Sequence, residues 1–92
     1  MYKVWLVLMI KDKKQILSEI EVIFQKLFDD NKLKLKMKTK SKDIKGWDSL
    51  AHINIILSIE KLFKFRFDPK DIYGFKNIED LVNSIFYKIN EK

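Results

Sequence analysis

Residues that form tight turns are scarce in this chain of 92 amino acids. It has two glycines, Gly46 and Gly74, and one proline, Pro69. A many-stranded sandwich or barrel needs a turn signal about every 8 to 12 residues, which this sequence does not supply. Cysteine is absent, so neither a disulfide nor a thiolate metal site can hold the fold, and packing alone must do so. The sequence therefore predicts a helical protein suited to the reducing cytoplasm.

The length and the hydrophobic content favour one domain. With 47% hydrophobic residues, the chain can enclose one small core but not two. Residues 2–10 are apolar apart from Lys3, yet a membrane-spanning helix needs about 20 apolar residues. A charged run follows at Lys11, where a signal peptide would carry a cleavage site. We interpret residues 1–8 as a short extension, with a second possible start at Met9, and 9–92 as a cytoplasmic domain without stable membrane insertion.

The net charge of +6 leaves a second class of function open, because a basic surface attracts nucleic acid. Arg66 is the only arginine, however. Reading of bases relies on the bidentate guanidinium group, which lysine lacks. We expect no nucleic-acid partner, and a lysine-rich helical nucleic-acid-binding module remains the alternative function.

Three segments have apolar residues at steps of three and four, the spacing of an amphipathic helix. The first ends at residues 29–31, whose Asp and Asn side chains favour turns. The second starts near Ser49 and the third after Asn77, each at a residue type that caps helices. The apolar positions of the three segments are Ile16, Ile20, Ile23, Phe24 and Leu27; Leu50, Ile53, Ile56, Leu57, Ile59, Leu62 and Phe63; and Leu81, Val82, Ile85, Phe86 and Ile89.

The connecting segments are predicted to contain no strand. Leu33 to Lys42 alternates lysine with other residues, as a strand would, but a lone edge strand would leave its backbone hydrogen bonds unmet. We interpret it as an extended loop that places Leu35 and Met37 on the core. Residues 71–75, after Pro69, have room for about one helical turn. The predicted fold is an all-α bundle of three main helices plus one short helix.

The three apolar stripes are expected to converge in one core. If Phe63 is fully buried, its truncation to alanine should cost about 3 to 5 kcal/mol. The predicted core residues are Ile20, Phe24, Ile53, Ile56, Phe63, Leu81 and Ile85.

The start of the second helix carries a recognisable motif, Gly46-Trp47-Asp48-Ser49-Leu50, and the helix closes in Glu60-x-x-Phe63. Through these residues the chain resembles the acyl carrier protein family, whose hallmark is Asp-Ser-Leu. The resemblance extends in register over roughly residues 12–90, through a first helix, a long loop, the motif, the second helix, a short helix and a capped last helix.

The resemblance implies a cofactor. In such carriers a separate magnesium-dependent transferase attaches 4'-phosphopantetheine from coenzyme A to the motif serine, here Ser49, and the arm then carries acyl or aminoacyl groups as thioesters. Asp48 would lie near the metal and the phosphate during transfer, and Leu50 would be an apolar contact. A serine in the first turn of a helix exposes its hydroxyl beside unpaired amides, which suit a phosphate. The simpler interpretation of Ser49 is an ordinary helix cap.

The resemblance also implies partners: the phosphopantetheinyl transferase, a ligase that loads the acyl or aminoacyl group, and enzymes that use it. We expect a monomeric carrier that is not an enzyme. Carriers for fatty-acid synthesis usually present an acidic second helix, whereas only Glu60 is acidic here. The residues predicted to bind partners are Leu50, Ala51, Asn54, Leu57 and Lys61. This difference, and Trp47 where a small residue is common, favour a specialised biosynthetic pathway.

His52, the only histidine, lies three residues after Ser49 and could in principle act as a base. The sequence lacks the nucleophile-elbow motif and a second histidine. We therefore predict a structural histidine, no catalytic residue and no metal ligand. The adjacent carboxylates at 29–30 and 79–80 are interpreted as turn and cap residues.

Overall fold

The computed structural model describes residues 12–90. Within this range no strand occurs, and no helix is long and apolar enough to cross a membrane. The prediction of an all-α bundle is confirmed. The proposed extension at residues 1–8 lies outside the described residues. The three α-helices are α1 (Lys13–Leu27), α2 (Ser49–Phe63) and α3 (Ile78–Ile89), and short 3-10 helices occupy Ser41–Asp43 and Pro69–Asp71.

The helix ends lie where the capping residues place them. Asp12 precedes α1 and accepts a hydrogen bond from the Gln15 amide at 2.8 Å, while the Gln15 side chain accepts one from the Asp12 amide at 3.0 Å. Asn77 accepts a hydrogen bond from the Asp80 amide at 3.0 Å and so caps α3. These side-chain hydrogen bonds satisfy amides that a helix start leaves unpaired. Just after the other end of α1, Asp29 adopts a left-handed backbone with a φ of 51°.

The lysine-rich segment after α1 is a loop, as predicted, except that its last two residues, Ser41 and Lys42, begin the first 3-10 helix. Leu35 is buried and Met37 packs against the core, while the neighbouring Lys34, Lys36 and Lys38 are exposed. The Leu35 amide donates a hydrogen bond to the Glu21 carboxylate of α1 at 2.9 Å. The alternation of lysine with other residues therefore reflects a loop with one face on the core. This loop does not need a neighbouring strand, because its backbone groups can form hydrogen bonds with side chains.

The same loop is joined to the start of α3. The amides of Ile78 and Glu79 donate hydrogen bonds to the carbonyls of Thr39 and Met37 at 2.8 and 2.9 Å. These amides have no acceptor within their own helix. The loop thus occupies the position of an additional cap, which holds it against the bundle.

The short helix differs in position from the prediction. It lies at Pro69–Asp71 rather than at residues 71–75. Proline is the first residue of this turn, where its fixed φ suits a helix and its missing amide hydrogen costs nothing.

One hydrophobic core fills the space among the three helices, with α1 packing against both α2 and α3. Five of the seven predicted core residues are buried, but Ile53 and Phe63 of α2 are only partly buried. Helix α2 instead buries Ile55, Ile56 and Ile59. The predicted facing of α2 was therefore wrong in part: Ile56 is buried and Phe63 packs against the core, but neither Ile53 nor Phe63 is fully buried. Apolar residues surround most of this helix, so their spacing does not single out one face. The other buried residues are Ile16, Ile20, Phe24, Leu35, Phe67, Ile78, Leu81, Val82 and Ile85.

The facing of α2 predicts an order of mutational cost. Ile55 has no exposed surface, so Ile55→Ala should lower the free energy of unfolding by about 2 to 5 kcal/mol. Ile53→Ala should cost less, and Phe63→Ala should fall below the value expected for full burial. Urea denaturation of the three variants measures these costs. A loss at Ile53 equal to that at Ile55 would contradict the facing described here.

Candidate functional site

A turn directs the chain into α2. Gly46 has a φ of 93°, a left-handed conformation that glycine adopts without steric cost. The Trp47 amide donates a hydrogen bond to the Ile44 carbonyl at 3.3 Å, and the Asp48 amide donates one to the Gly46 carbonyl at 2.9 Å. The turn therefore places Asp48 and Ser49 at the start of the helix.

Asp48 rather than Ser49 caps α2. The Asp48 carboxylate accepts a hydrogen bond from the Ala51 amide at 2.9 Å. Ser49 is the first helical residue, its side chain is exposed, and none of the hydrogen bonds found in the described part of the chain involves its hydroxyl. The interpretation of Ser49 as an ordinary cap is therefore wrong. Its hydroxyl is available to another molecule.

The surroundings of Ser49 suit an anion with an apolar contact beside it. The amides of Ser49 and Leu50 have no acceptor within the helix, and the helix dipole places partial positive charge there. The first turn contains no acidic residue, and the neighbouring Asp48 shares its charge with the Ala51 amide. The Leu50 side chain is 71% exposed. The sequence-predicted residues Asp48, Ser49 and Leu50 thus occur together at one exposed helix start.

His52 connects this helix start to the loop after the second 3-10 helix. Its Nδ1 accepts a hydrogen bond from the Trp47 indole at 3.1 Å, and its Nε2 lies 2.6 Å from the Ile72 carbonyl oxygen. A carbonyl oxygen only accepts hydrogen bonds, so Nε2 carries the proton and donates. The neutral tautomer protonated at Nε2 satisfies both contacts. Both ring nitrogens of His52 are consequently hydrogen-bonded within the protein, as predicted for a structural histidine.

Aromatic rings extend this connection. The Trp47 ring lies edge-on to Phe24 of the core, with centroids 5.1 Å apart. His52 stacks against Trp47 at 6.0 Å and against Tyr73 at 5.4 Å, with interplanar angles of 20° and 26°. Tyr73 was missed from the sequence, since no motif or periodicity connects it with Ser49. The rings join the core, the helix start and the loop.

A cavity of about 340 Å³ opens beside Ser49. Its floor is formed by side chains of the core, and its walls include the stacked rings. Tyr73, Phe75 and Lys76 reach it from the loop after Pro69, a segment in which the sequence indicated only a helical turn. The lining residues are Ser41, Trp47, Asp48, Ser49, His52, Ile55, Ile56, Tyr73, Phe75, Lys76, Asn77 and Leu81.

The predicted partner face follows Ser49 along α2. We use the term docking face for Leu50, Ala51, Asn54, Leu57 and Lys61. Four of these residues are exposed and Ala51 is half-buried. Their spacing of three and four places them along one side of the helix.

Glu60 does not contribute its charge to the docking face. Its carboxylate accepts a hydrogen bond from the Phe67 amide at 2.8 Å and lies 4.0 Å from Arg66, leaving the side chain 13% exposed. Glu60, the one acidic residue of α2, is therefore turned inward, because its carboxylate holds the chain that follows the helix. The docking face is left apolar and basic, without a free carboxylate.

Asp30 and Asp80, each of which has a neighbouring carboxylate in the sequence, have local structural roles. Asp30 accepts a hydrogen bond from the Lys32 amide at 3.0 Å, and Asp80 accepts one from the Lys76 amide at 2.9 Å. Both contacts satisfy backbone groups at turns and helix starts, as predicted.

Comparison with solved structures identifies a similar protein. The chain is similar to the holo acyl carrier protein from Geobacter metallireducens, whose structure was determined in solution by NMR. The two are 36% identical, superpose with a TM-score of 0.74, and match over 79% of this chain and 84% of that chain. No protein-family model and no curated protein matches the chain.

The division of roles between Asp48 and Ser49 is testable by stability alone. Asp48→Ala removes the cap of α2 and should lower the free energy of unfolding by about 0.5 to 2 kcal/mol. Ser49→Ala removes a hydroxyl without a structural partner and should change it by no more than about 0.5 kcal/mol. Thermal and urea denaturation measure both. A larger loss for Ser49→Ala than for Asp48→Ala would reverse the assignment.

Proposed function

This chain belongs to the acyl carrier protein family, and we propose that it carries acyl or aminoacyl groups as thioesters on a 4'-phosphopantetheine arm attached to Ser49. The observation that carries the assignment is the exposed Ser49 hydroxyl. It is available for attachment because Asp48, and not Ser49, caps α2. A carrier of this kind is not an enzyme. It presents its cargo to enzymes, and the tether raises the local concentration of cargo at each enzyme that docks.

The residues fit the attached group in two respects. The unpaired amides at the start of α2 suit a phosphodiester on Ser49. The chain has no cysteine, and the arm supplies the thiol on which a thioester forms. In the attachment step the Ser49 oxygen forms the bond to phosphorus, and the nucleotide part of coenzyme A leaves. The Ser49 proton passes to the transferase or to water.

The neighbours of Ser49 would be read by the phosphopantetheinyl transferase. Asp48 uses one carboxylate oxygen for its cap, and its negative charge suits a magnesium ion bound with the phosphate. Leu50 exposes most of its side chain beside the serine, which suits an apolar contact. Both roles follow the family motif residue by residue.

Attachment at Ser49 is measured directly by intact mass. Incubation with coenzyme A, magnesium and a promiscuous transferase should add the mass of one phosphopantetheine. Ser49→Ala should add none, whereas Ser41→Ala, at another exposed serine lining the same cavity, should be modified like wild type. Modification of Ser49→Ala, or no modification of wild type by several transferases, would refute the proposal.

The docking face supports a specialised pathway over general fatty-acid synthesis. Charged residues at the edge of a protein–protein interface mainly set the association rate and help a protein to distinguish among partners. Because Glu60 is turned inward, this face offers no carboxylate to the basic enzymes that usual acidic carriers meet. Leu50 and Leu57, exposed by 71% and 56%, can supply apolar contacts instead. The partners, a loading ligase and acyl-using enzymes, should offer an apolar groove with acidic residues near Lys61.

Charge reversal on the docking face should restore use by a general fatty-acid elongating enzyme. We expect the triple variant Ala51→Asp, Asn54→Glu, Lys61→Glu to be a better substrate than wild type at low salt, because opposite charges speed encounter. The gain should shrink as salt is raised. Initial rates with the holo forms of both proteins measure the effect.

A matched control separates position from net charge. Lys14→Glu, Lys26→Glu changes the total charge equally, at two exposed positions on α1. This double variant should gain much less than the triple variant. Equal gains, or a wild type that already matches an ordinary acidic carrier, would show that the docking face does not select partners.

A further inference from the structure

We propose that the cavity beside Ser49 selects a compact aromatic acyl group as the carried cargo, in preference to an alkyl chain. This inference rests on the proposed function, since it requires a cargo tethered at Ser49. It extends that function by naming the chemical class of the cargo.

The position of the cavity makes it accessible to a tethered group. Ser49 itself lines the cavity, together with Asp48 on one side and His52 one turn further along α2. A flexible arm attached to the Ser49 oxygen can therefore fold back so that its end enters the opening. The cargo then leaves water without leaving the carrier.

The walls are aromatic. Trp47, His52 and Tyr73 form a row of nearly parallel rings, and Phe75 lines the same space. Although Tyr73 stacks on His52, it remains 69% exposed, so much of its ring is still uncovered. Offset stacking and edge contacts between rings stabilise a complex beyond the burial of area alone. A ring carried into this space gains those contacts, and an alkyl chain does not.

The floor limits the length of the cargo. It is formed by Ile55, Ile56 and Leu81, whose exposed fractions are 0%, 3% and 2%. They belong to the same hydrophobic core as Ile20 and Ile59, which have no exposed surface. A long chain would have to displace close-packed side chains, which is costly. The available depth therefore favours a short and wide group.

The size and the rim agree with a single ring. A cavity of about 150 Å³ is enough to bind benzene, so about 340 Å³ leaves room for one ring and the adjoining thioester. At the rim, the ammonium group of Lys76 has no ion-pair partner among residues 12–90. A cation interacts favourably with a ring face, whereas an aliphatic group beside it gains nothing.

Protection of the thioester tests the selection. The holo-protein is charged with benzoyl, hexanoyl or dodecanoyl groups, and each thioester is cleaved with hydroxylamine. The rate is divided by that of the same acyl group on free pantetheine. We expect benzoyl cleavage on the carrier to be slowed roughly 2- to 12-fold more than hexanoyl cleavage, the range expected for one aromatic contact. Dodecanoyl should be protected least.

Two tyrosines supply the matched variants. Tyr73→Ala should remove the additional protection of benzoyl, and Tyr73→Phe should keep it because the ring remains. Tyr87 is 67% exposed, close to the value for Tyr73, but lies on α3 and does not line the cavity. Tyr87→Ala should therefore leave the protection unchanged.

The outcomes distinguish this inference from the proposed function. Failure to attach phosphopantetheine at Ser49, seen by mass before any charging, would refute both. Attachment followed by equal or greater protection of hexanoyl or dodecanoyl would overturn the aromatic cargo alone. So would the same response from Tyr73→Ala and Tyr87→Ala.

Discussion

Burial of one stripe of α2 against the bundle determines how the rest of this carrier is presented. Ile55, Ile56 and Ile59 are withdrawn from water, and this burial sets the rotation of the helix about its axis. With these residues inside, the stripe through Leu50, Asn54, Leu57 and Lys61 must face outward. The exposure of the proposed attachment site and of the docking face is therefore a consequence of core packing, although none of their side chains belongs to the core.

Two carboxylates at the ends of α2 shape function through structural contacts. Asp48 caps the start of the helix, so the Ser49 hydroxyl is not needed as a cap. Glu60 turns back to the Phe67 amide near the end and so removes the acidic charge that its sequence position suggested. In both cases the carboxylate accepts a hydrogen bond from a backbone amide, at an exposed helix start for Asp48 and at a partly buried position for Glu60. Such amides would otherwise lack a partner within the protein, which is costly where water is excluded.

The neutral His52 ring links the site to the segment that the sequence describes least well. It joins Trp47 to the Ile72 carbonyl, and this connection places Tyr73 and Phe75 at the cavity beside Ser49. Helix α3 adds to the same arrangement, since its first amides bind carbonyls of the long loop. The proposed attachment site thus lies where the two segments that connect the three α-helices meet, which explains how a small bundle can enclose a cavity at its surface.

By itself the sequence determined the helical class, the three main helices, the Asn77 cap of α3 and the motif at Ser49. These features depend on local rules: the spacing of apolar residues, the capping side chains and the turn at Gly46. The facing of α2, the inward turn of Glu60 and the cavity with Tyr73 were decided only by the tertiary structure. Apolar residues surround α2 on most sides, so its buried stripe depends on what α1 offers. Glu60 and Tyr73 likewise find their partners only after distant segments pack together.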